Sequence, residues 1–211
     1  MGRRWLLPLL LLASGCTTVG VTDHAAQPRM GPPVTLSLCA YLDDGITPEE
    51  ATSLLDAAWR EEAHVNGVAI HIVRVARWKR PAFTKDGILA ALAREPLPSS
   101  CDRIMAFLGR HPADVLWGLF LPQVLGATAL THGYVVARAA SLDQLVAPPA
   151  RVLRHELYHL LGCEHGLTMS HCYRRIAELV DARHGEFFPV WSRSLQRIVG
   201  SREEVARLLG G

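Results

Sequence analysis

The 211-residue chain has almost no net charge and no apolar run long enough to span a membrane. Its 22 Lys and Arg residues nearly balance 20 Asp and Glu residues, and the net charge of +2 is too small to predict a nucleic-acid-binding surface. The apolar stretch at residues 5–13 is interrupted by Pro8 and is too short for a permanent membrane helix. No internal repeat or long low-complexity segment is present. The length predicts one domain, and 49% hydrophobic residues suffice for its core.

The N-terminal residues have the pattern of an export signal. Two arginines precede the apolar stretch, which ends in the sequence LASGC at residues 12–16. This end resembles a bacterial lipobox, in which small residues precede a cysteine that becomes lipidated, although Ala13 stands where Leu is usual. We therefore predict a signal peptide at residues 1–15, a lipid anchor on Cys16 and a tether at residues 16–33. The expected location is the outer membrane, facing the periplasm; an ordinary signal peptide with an incidental Cys16 is the alternative.

The remaining residues, 34–211, alternate between strand-like and helix-like patterns. Thr47 and Glu50 form a capping box around Pro48, which predicts the start of a helix that ends before Gly67. The order strand, helix, strand, helix, strand predicts parallel pairing with crossover helices. We predict strands at residues 34–42, 68–75 and 103–108, and helices at 85–94, from about 150, at 173–183, over the apolar tail 187–198 and at 201–209.

The strongest pattern is the sequence HELYHLLGCEH at residues 155–165. His155 and His159 are four residues apart, so on a helix their imidazoles lie on one face, one turn apart. Glu156 follows the first histidine, where its carboxylate can reach a metal-bound water without being a ligand. Gly162 can adopt a positive φ and end the helix, which allows His165 to approach the same metal. Three neutral imidazoles and one water predict an open, catalytic zinc site.

On these eleven residues, which match HExxHxxGxxH, the chain resembles the metzincin clan of zinc metallopeptidases. The resemblance implies a methionine turn below the metal, with Met169 as the candidate. It also implies an α+β or α/β fold: a mixed twisted sheet with crossover helices, an active-site helix and a C-terminal helical subdomain. Two features depart from the clan. Only three residues separate His165 from Met169, and no Tyr stands two residues after Met169, since Tyr173 is four residues after it. We therefore assign no subfamily.

The resemblance further implies how a substrate would be bound and cleaved. An edge strand that pairs with an extended peptide precedes the last central strand, and we place these two strands at residues 127–130 and 134–139. The implied reaction is hydrolysis of a peptide bond, with zinc polarising the carbonyl and Glu156 as general base. The substrate stays open between a peptide, a protein and a peptidoglycan cross-bridge. No second group that stabilises the oxyanion can be named from the sequence.

Two other interpretations stay open. Glu178 lies nineteen residues after His159, close to where thermolysin-like peptidases place a glutamate ligand, and it could replace His165. Alternatively, the chain is a non-catalytic envelope lipoprotein that binds zinc or a partner, although mere binding gives no role to Glu156. We expect a monomer with no nucleic-acid partner.

Four cysteines remain besides Cys16. An even number in an oxidising compartment favours disulfides over free buried thiols, and three pairings are possible. A bridge between Cys163 and Cys172 would fasten the turn that carries His165, while Cys39 and Cys101 both lie at strand-like segments.

Overall fold

The computed structural model of the chain describes residues 33–110, 124–138, 148–165 and 169–210. The predicted signal peptide, Cys16 and the tether up to residue 32 lie outside the described residues. None of the described helices is long and apolar enough to cross a membrane.

A five-stranded, mostly parallel sheet forms the centre of the fold. Its strands are β1 (Val34–Leu42), β2 (Val68–Arg77), β3 (Arg103–Leu108), β4 (Gly126–Ala129) and β5 (His132–Val136), in the spatial order β2-β1-β3-β5-β4. Strands β2, β1, β3 and β5 are parallel, whereas β4 is antiparallel to β5 and occupies an edge. The predicted mixed sheet with crossover helices is confirmed.

Helices α1 (Pro48–Asn66) and α2 (Lys85–Leu92) connect the parallel strands. Helix α1 begins as predicted, because the Thr47 side chain accepts a hydrogen bond from the Glu50 amide and the Glu50 carboxylate accepts one from the Thr47 amide. It ends at Gly67, whose φ of 70° is left-handed. Both ends of α1 therefore have local signals in the sequence.

The second half of the chain begins with the helix that carries the histidine pattern, α3 (Pro149–Leu160), followed by α4 (Ser170–Asp181). A two-stranded hairpin, β6 (Val190–Ser192) and β7 (Arg197–Val199), and a last helix, α5 (Arg202–Gly210), complete the C-terminal region.

The prediction of a helix over the apolar tail at residues 187–198 is wrong. Val190 pairs with Val199 and Trp191 with Ile198 in an antiparallel hairpin, and Gln196 has a φ of 53° in the turn between them. The apolar spacing fits a helix, but burial alternates along β6, as expected of a strand. Cross-strand pairs, which sequence spacing does not show, determine this segment.

The two strands of the edge hairpin occur in the predicted order, but their residue bounds differ from the predicted ones. We placed its strands at residues 127–130 and 134–139, whereas they are β4 and β5. The difference arises because Leu130 and Thr131 form a two-residue turn in which Leu130 has a φ of 54°. Such turns normally contain Gly, Asn or Asp, so this one gives no recognisable signal.

Hydrophobic residues on the two faces of the sheet pack into two clusters. In β1, Leu36, Leu38, Ala40 and Leu42 contact the cluster that contains α1, α3 and α4, whereas Cys39 and Tyr41 contact the cluster of α2. A disulfide between Cys39 and Cys101 joins β1 to the chain just before β3 on this second face. The sheet is therefore buried on both sides, as parallel sheets usually are.

Candidate metal centre

Helix α3 places His155 and His159 beside its buried face. Pro148 and Pro149 start the helix, since proline is pre-organised for the first helical position. Its buried positions are Leu153, Glu156, Leu157, Tyr158 and Leu160. The two histidines are half-buried at the margin of this face, where both rings reach the same space outside the helix.

The helix ends at a glycine turn that returns the chain to the histidines. Gly162 has a φ of 79°; its amide donates to the His159 carbonyl at 2.9 Å, and the Cys163 amide donates to the Tyr158 carbonyl at 3.0 Å. These two bonds form a Schellman motif. A Cβ on Gly162 would also lie 2.6 Å from the Cβ of Trp191, so glycine is required by packing as well as by φ.

The three histidine side chains converge on one point. The Nε2 atoms of His155 and His159 are 3.0 Å apart, and that of His165 is 3.3 Å from each of the other two. Three nitrogens at the corners of a zinc tetrahedron would be separated by about 3.3–3.4 Å. The donor set and its spacing therefore fit a divalent metal that keeps one or more open positions.

A hydrogen bond fixes which nitrogen of His159 is free for a metal. Its Nδ1 lies 2.7 Å from the Cys163 carbonyl oxygen, which can only accept, so Nδ1 carries the proton and Nε2 the lone pair. Burial, the largest cause, lowers the pKa of His159 to about 4, against a smaller opposite effect of the hydrogen bond to Cys163. The imidazole is therefore neutral at physiological pH, which is the form that binds metals.

A disulfide between Cys163 and Cys172 fastens the chain that carries His165 to helix α4. Because the Cys163 carbonyl also holds His159, this bridge supports two of the three imidazoles. Met169, the predicted methionine-turn residue, is 4% exposed and belongs to the core cluster under α3. Residues 166–168, which connect His165 to it, lie outside the described part of the chain.

Glu156 carries a carboxylate with an unusual environment. Its side chain is buried, and among the described residues its Oε2 has no hydrogen-bond partner. Burial raises its pKa to about 8, against a smaller opposite effect of Lys85. A buried polar atom without a partner costs about 1–3 kcal/mol, and this cost points to a bound group beside the carboxylate.

Gly126, the first residue of β4, makes room for this carboxylate. A Cβ at Gly126 would lie 2.7 Å from Cγ and 2.8 Å from Oε1 of Glu156. Gly126 was not among the predicted site residues, although an isolated glycine in a strand is a known signal of close backbone approach. The edge strand and the general-base candidate are therefore in direct contact.

A second residue that was not predicted as part of the site is Arg103, which is fully buried at the start of β3 and has no sequence signal. Its Nε donates to the Leu160 carbonyl at the end of α3 at 3.0 Å, and its Nη atoms donate to the carbonyls of Phe188 and Pro189 at 3.0 and 2.6 Å. Burial lowers its pKa to about 10, so the guanidinium stays charged. It holds the end of α3 against the C-terminal region.

Other candidate ligands are not part of the cluster. Glu178 forms a 2.9 Å ion pair with Arg175 on α4, and among the described residues the only group of three metal-binding side chains is the histidine triad. His132 is buried between Thr131 and the Glu95 carbonyl, and burial lowers its pKa to about 4. The geometry therefore favours His165 over Glu178 as the third ligand.

Comparison with known proteins gives little beyond this geometry. No protein-family model matches the chain, and no curated protein matches it. Among solved structures, the chain is similar to archaemetzincin from Methanopyrus kandleri, at a TM-score of 0.40 and 20% sequence identity. The alignment covers 84% of this chain and 97% of that one. A similarity of this degree shows neither the family nor the activity of this chain.

The triad geometry predicts how metal binding depends on the third ligand. We expect wild-type protein to bind about one Zn²⁺ per chain, and His165→Ala to weaken binding by more than about a hundredfold, because two imidazoles rarely hold zinc at an open site. Glu178→Ala, the matched control, should bind as wild type does. Competition titration with a zinc chelator measures both, and the reverse pattern would assign the third ligand to Glu178.

Proposed function

We propose that the chain is a zinc-dependent endopeptidase of the metzincin type, acting in the bacterial cell envelope. The observation that carries the proposal is one juxtaposition. Three imidazole nitrogens converge within 3.3 Å of one another, and the adjacent residue on the same helix buries a carboxylate with an unpartnered oxygen. A site that only stores metal needs the imidazoles and not the carboxylate.

The three histidines would hold the zinc, and Glu156 would move the proton. A zinc ion at such a site supplies Lewis-acid polarisation of a carbonyl and a water of lowered pKa. Glu156 accepts the proton of the attacking water and passes it to the leaving amine as the peptide bond breaks. Burial favours its protonated form, and the charge of a nearby dication favours the carboxylate, so its pKa can be brought toward neutrality.

The edge strand β4 supports a peptide as the substrate. It pairs with β5 on one side only among the described strands, and its first residue, Gly126, abuts Glu156. An extended peptide that added to β4 through main-chain hydrogen bonds would pass beside the general base. Main-chain recognition of this kind suits an endopeptidase, because it holds any sequence in one extended register.

The decisive test is Glu156→Gln. The substitution keeps the size of the side chain and all three imidazoles, so we expect a folded protein with unchanged zinc content. Turnover should fall by about 10²–10⁴-fold, because the group that accepts the proton is lost. Peptide-library hydrolysis and zinc content are measured on the same samples at neutral pH.

Two results would count against the proposed mechanism. Unchanged turnover in Glu156→Gln would exclude Glu156 as the base. A zinc-loaded wild type that cleaves no peptide in a diverse library would favour the non-catalytic binding protein.

A second variant tests whether the position of the carboxylate matters. In Gly126→Ala, the new Cβ must displace Glu156, and a displacement of about 1 Å can cost about a hundredfold in rate. Zinc affinity should stay near that of wild type, because no ligand is touched. Gly200→Ala is the matched control, since a Cβ there meets nothing within 4 Å. Equal turnover in the two variants would contradict the role given to Gly126.

We also propose that the protein is anchored to the membrane through a lipid on Cys16. The lipobox-like residues and the two disulfides, which persist in oxidising compartments, support an envelope location. We expect the protein to fractionate with the outer membrane, and Cys16→Ser to be released or to remain unprocessed. Mass spectrometry of the mature N-terminus is the measurement, and an N-terminus elsewhere without acyl chains would refute the anchor.

A further inference from the structure

A narrow cleft opens beside the histidine triad, between the edge strand and the C-terminal hairpin. Residues 128–130, at the end of β4, form one wall, and Trp191 and Arg193 form the other. His159 and Glu164 lie between them. The cleft has a volume of about 240 Å³, which is smaller than typical small-molecule pockets of about 300–1,000 Å³ and suits a single amino-acid side chain.

The Trp191 wall is fixed from both sides. Its Cβ lies against the backbone of Gly162, where an added Cβ would approach to 2.6 Å. The guanidinium of Arg175 stacks over the indole at 3.3 Å from the ring centroid, and Glu178 holds that guanidinium by a 2.9 Å ion pair. The wall is therefore built before any substrate arrives, as a specificity subsite requires.

Arg193 presents a cation at the mouth of this cleft. Its Nε contacts Glu164 Oε1 at 3.0 Å, and the side chain is 70% exposed. Among the described residues, its two Nη groups form no hydrogen bond or ion pair with a side chain, so they can donate two parallel bonds to a carboxylate.

The charge balance at the mouth favours an anionic side chain. Glu164 neutralises Arg193 in part, but Glu164 directly precedes His165, and a dication held by the triad would shift the local balance to positive. A cationic substrate side chain would meet both the guanidinium and the metal charge. An acidic substrate side chain would be attracted by both of these positive charges.

We propose that this cleft is a specificity subsite that selects an acidic side chain of the substrate, an inference that rests on the proposed peptidase function. Arg193 recognises the carboxylate of that side chain. The apolar part of the side chain packs against Trp191 and Leu130. Residues 128–130, at the end of β4 and the start of the turn after it, follow Gly126, which abuts Glu156, by two to four positions. At about 3.3 Å per residue, the selected side chain lies within about three or four residues of the cleaved bond.

The test is a cleavage profile compared between two charge reversals. A randomised peptide library is digested with zinc-loaded wild type, Arg193→Glu and Arg197→Glu, and the products are sequenced by mass spectrometry. Arg197 is the matched control, because it follows the turn of the same hairpin, in which Arg193 lies, and pairs with Glu204 outside the cleft. Single peptides with Glu, Gln or Lys at the selected position then give kcat/KM.

We expect wild type and Arg197→Glu to prefer Glu over Gln and Lys at one position near the cleaved bond. In Arg193→Glu, kcat/KM for the Glu peptide should fall about tenfold relative to the Gln peptide, the scale of reversing a partly exposed ion pair. Glu164→Gln, with its zinc content verified, should strengthen the preference for Glu, because the competing carboxylate is removed.

The outcomes separate this inference from the function on which it rests. Absence of cleavage by zinc-loaded wild type overturns both. Cleavage without an acidic preference within four residues of the bond overturns only the subsite, as does a preference that survives Arg193→Glu.

Discussion

The buried guanidinium of Arg103 is the contact on which the arrangement of the site depends. It extends from the start of β3 and donates to backbone carbonyls at the end of α3 and in the segment before β6. Its neighbour Asp102 reinforces the junction, because its carboxylate accepts from the amides of Ser37 and Phe188. Removal of a buried hydrogen-bonded charge is strongly destabilising, since its partners stay behind unsatisfied. One cation thus fixes the metal-site helix relative to the sheet and to the hairpin that carries Trp191.

Burial then sets the chemistry of the individual groups. The same loss of solvent lowers the pKa of His159 and raises the pKa of Glu156. The His159 imidazole is therefore in the neutral form that binds metals, and a cation held nearby would stabilise the ionised Glu156 carboxylate. Two glycines make this packing possible. Gly162 allows the helix to end under Trp191, and Gly126 lets the edge strand approach Glu156. The unpartnered Oε2 of Glu156 lowers the stability of the fold, and such a loss is expected where a binding site awaits its ligand.

Elements whose ends are fixed by interactions between residues close in sequence were predicted correctly. The capping box at Thr47, the left-handed Gly67 and the buried β3 depend on residues a few positions apart, and they occur where expected. The tail at residues 187–198 was predicted as helix because its apolar spacing fits one, but cross-strand pairing made it a hairpin. The predicted bounds of β4 and β5 differ from the observed ones because Leu130 lies in the turn with a positive φ, a conformation that leucine does not favour.

The sequence alone identified the three candidate ligands and the candidate base. The spacing of His155, His159 and His165 around Gly162 follows from helix geometry and one left-handed turn, and both are properties of eleven consecutive residues. The sequence left three disulfide pairings open, and only the fold brought Cys39 to Cys101 and Cys163 to Cys172. Tertiary structure likewise brought Gly126 to Glu156, Arg103 to the end of α3 and Arg193 to Glu164. Each acts on residues far from it in sequence, so no local pattern could reveal its partner.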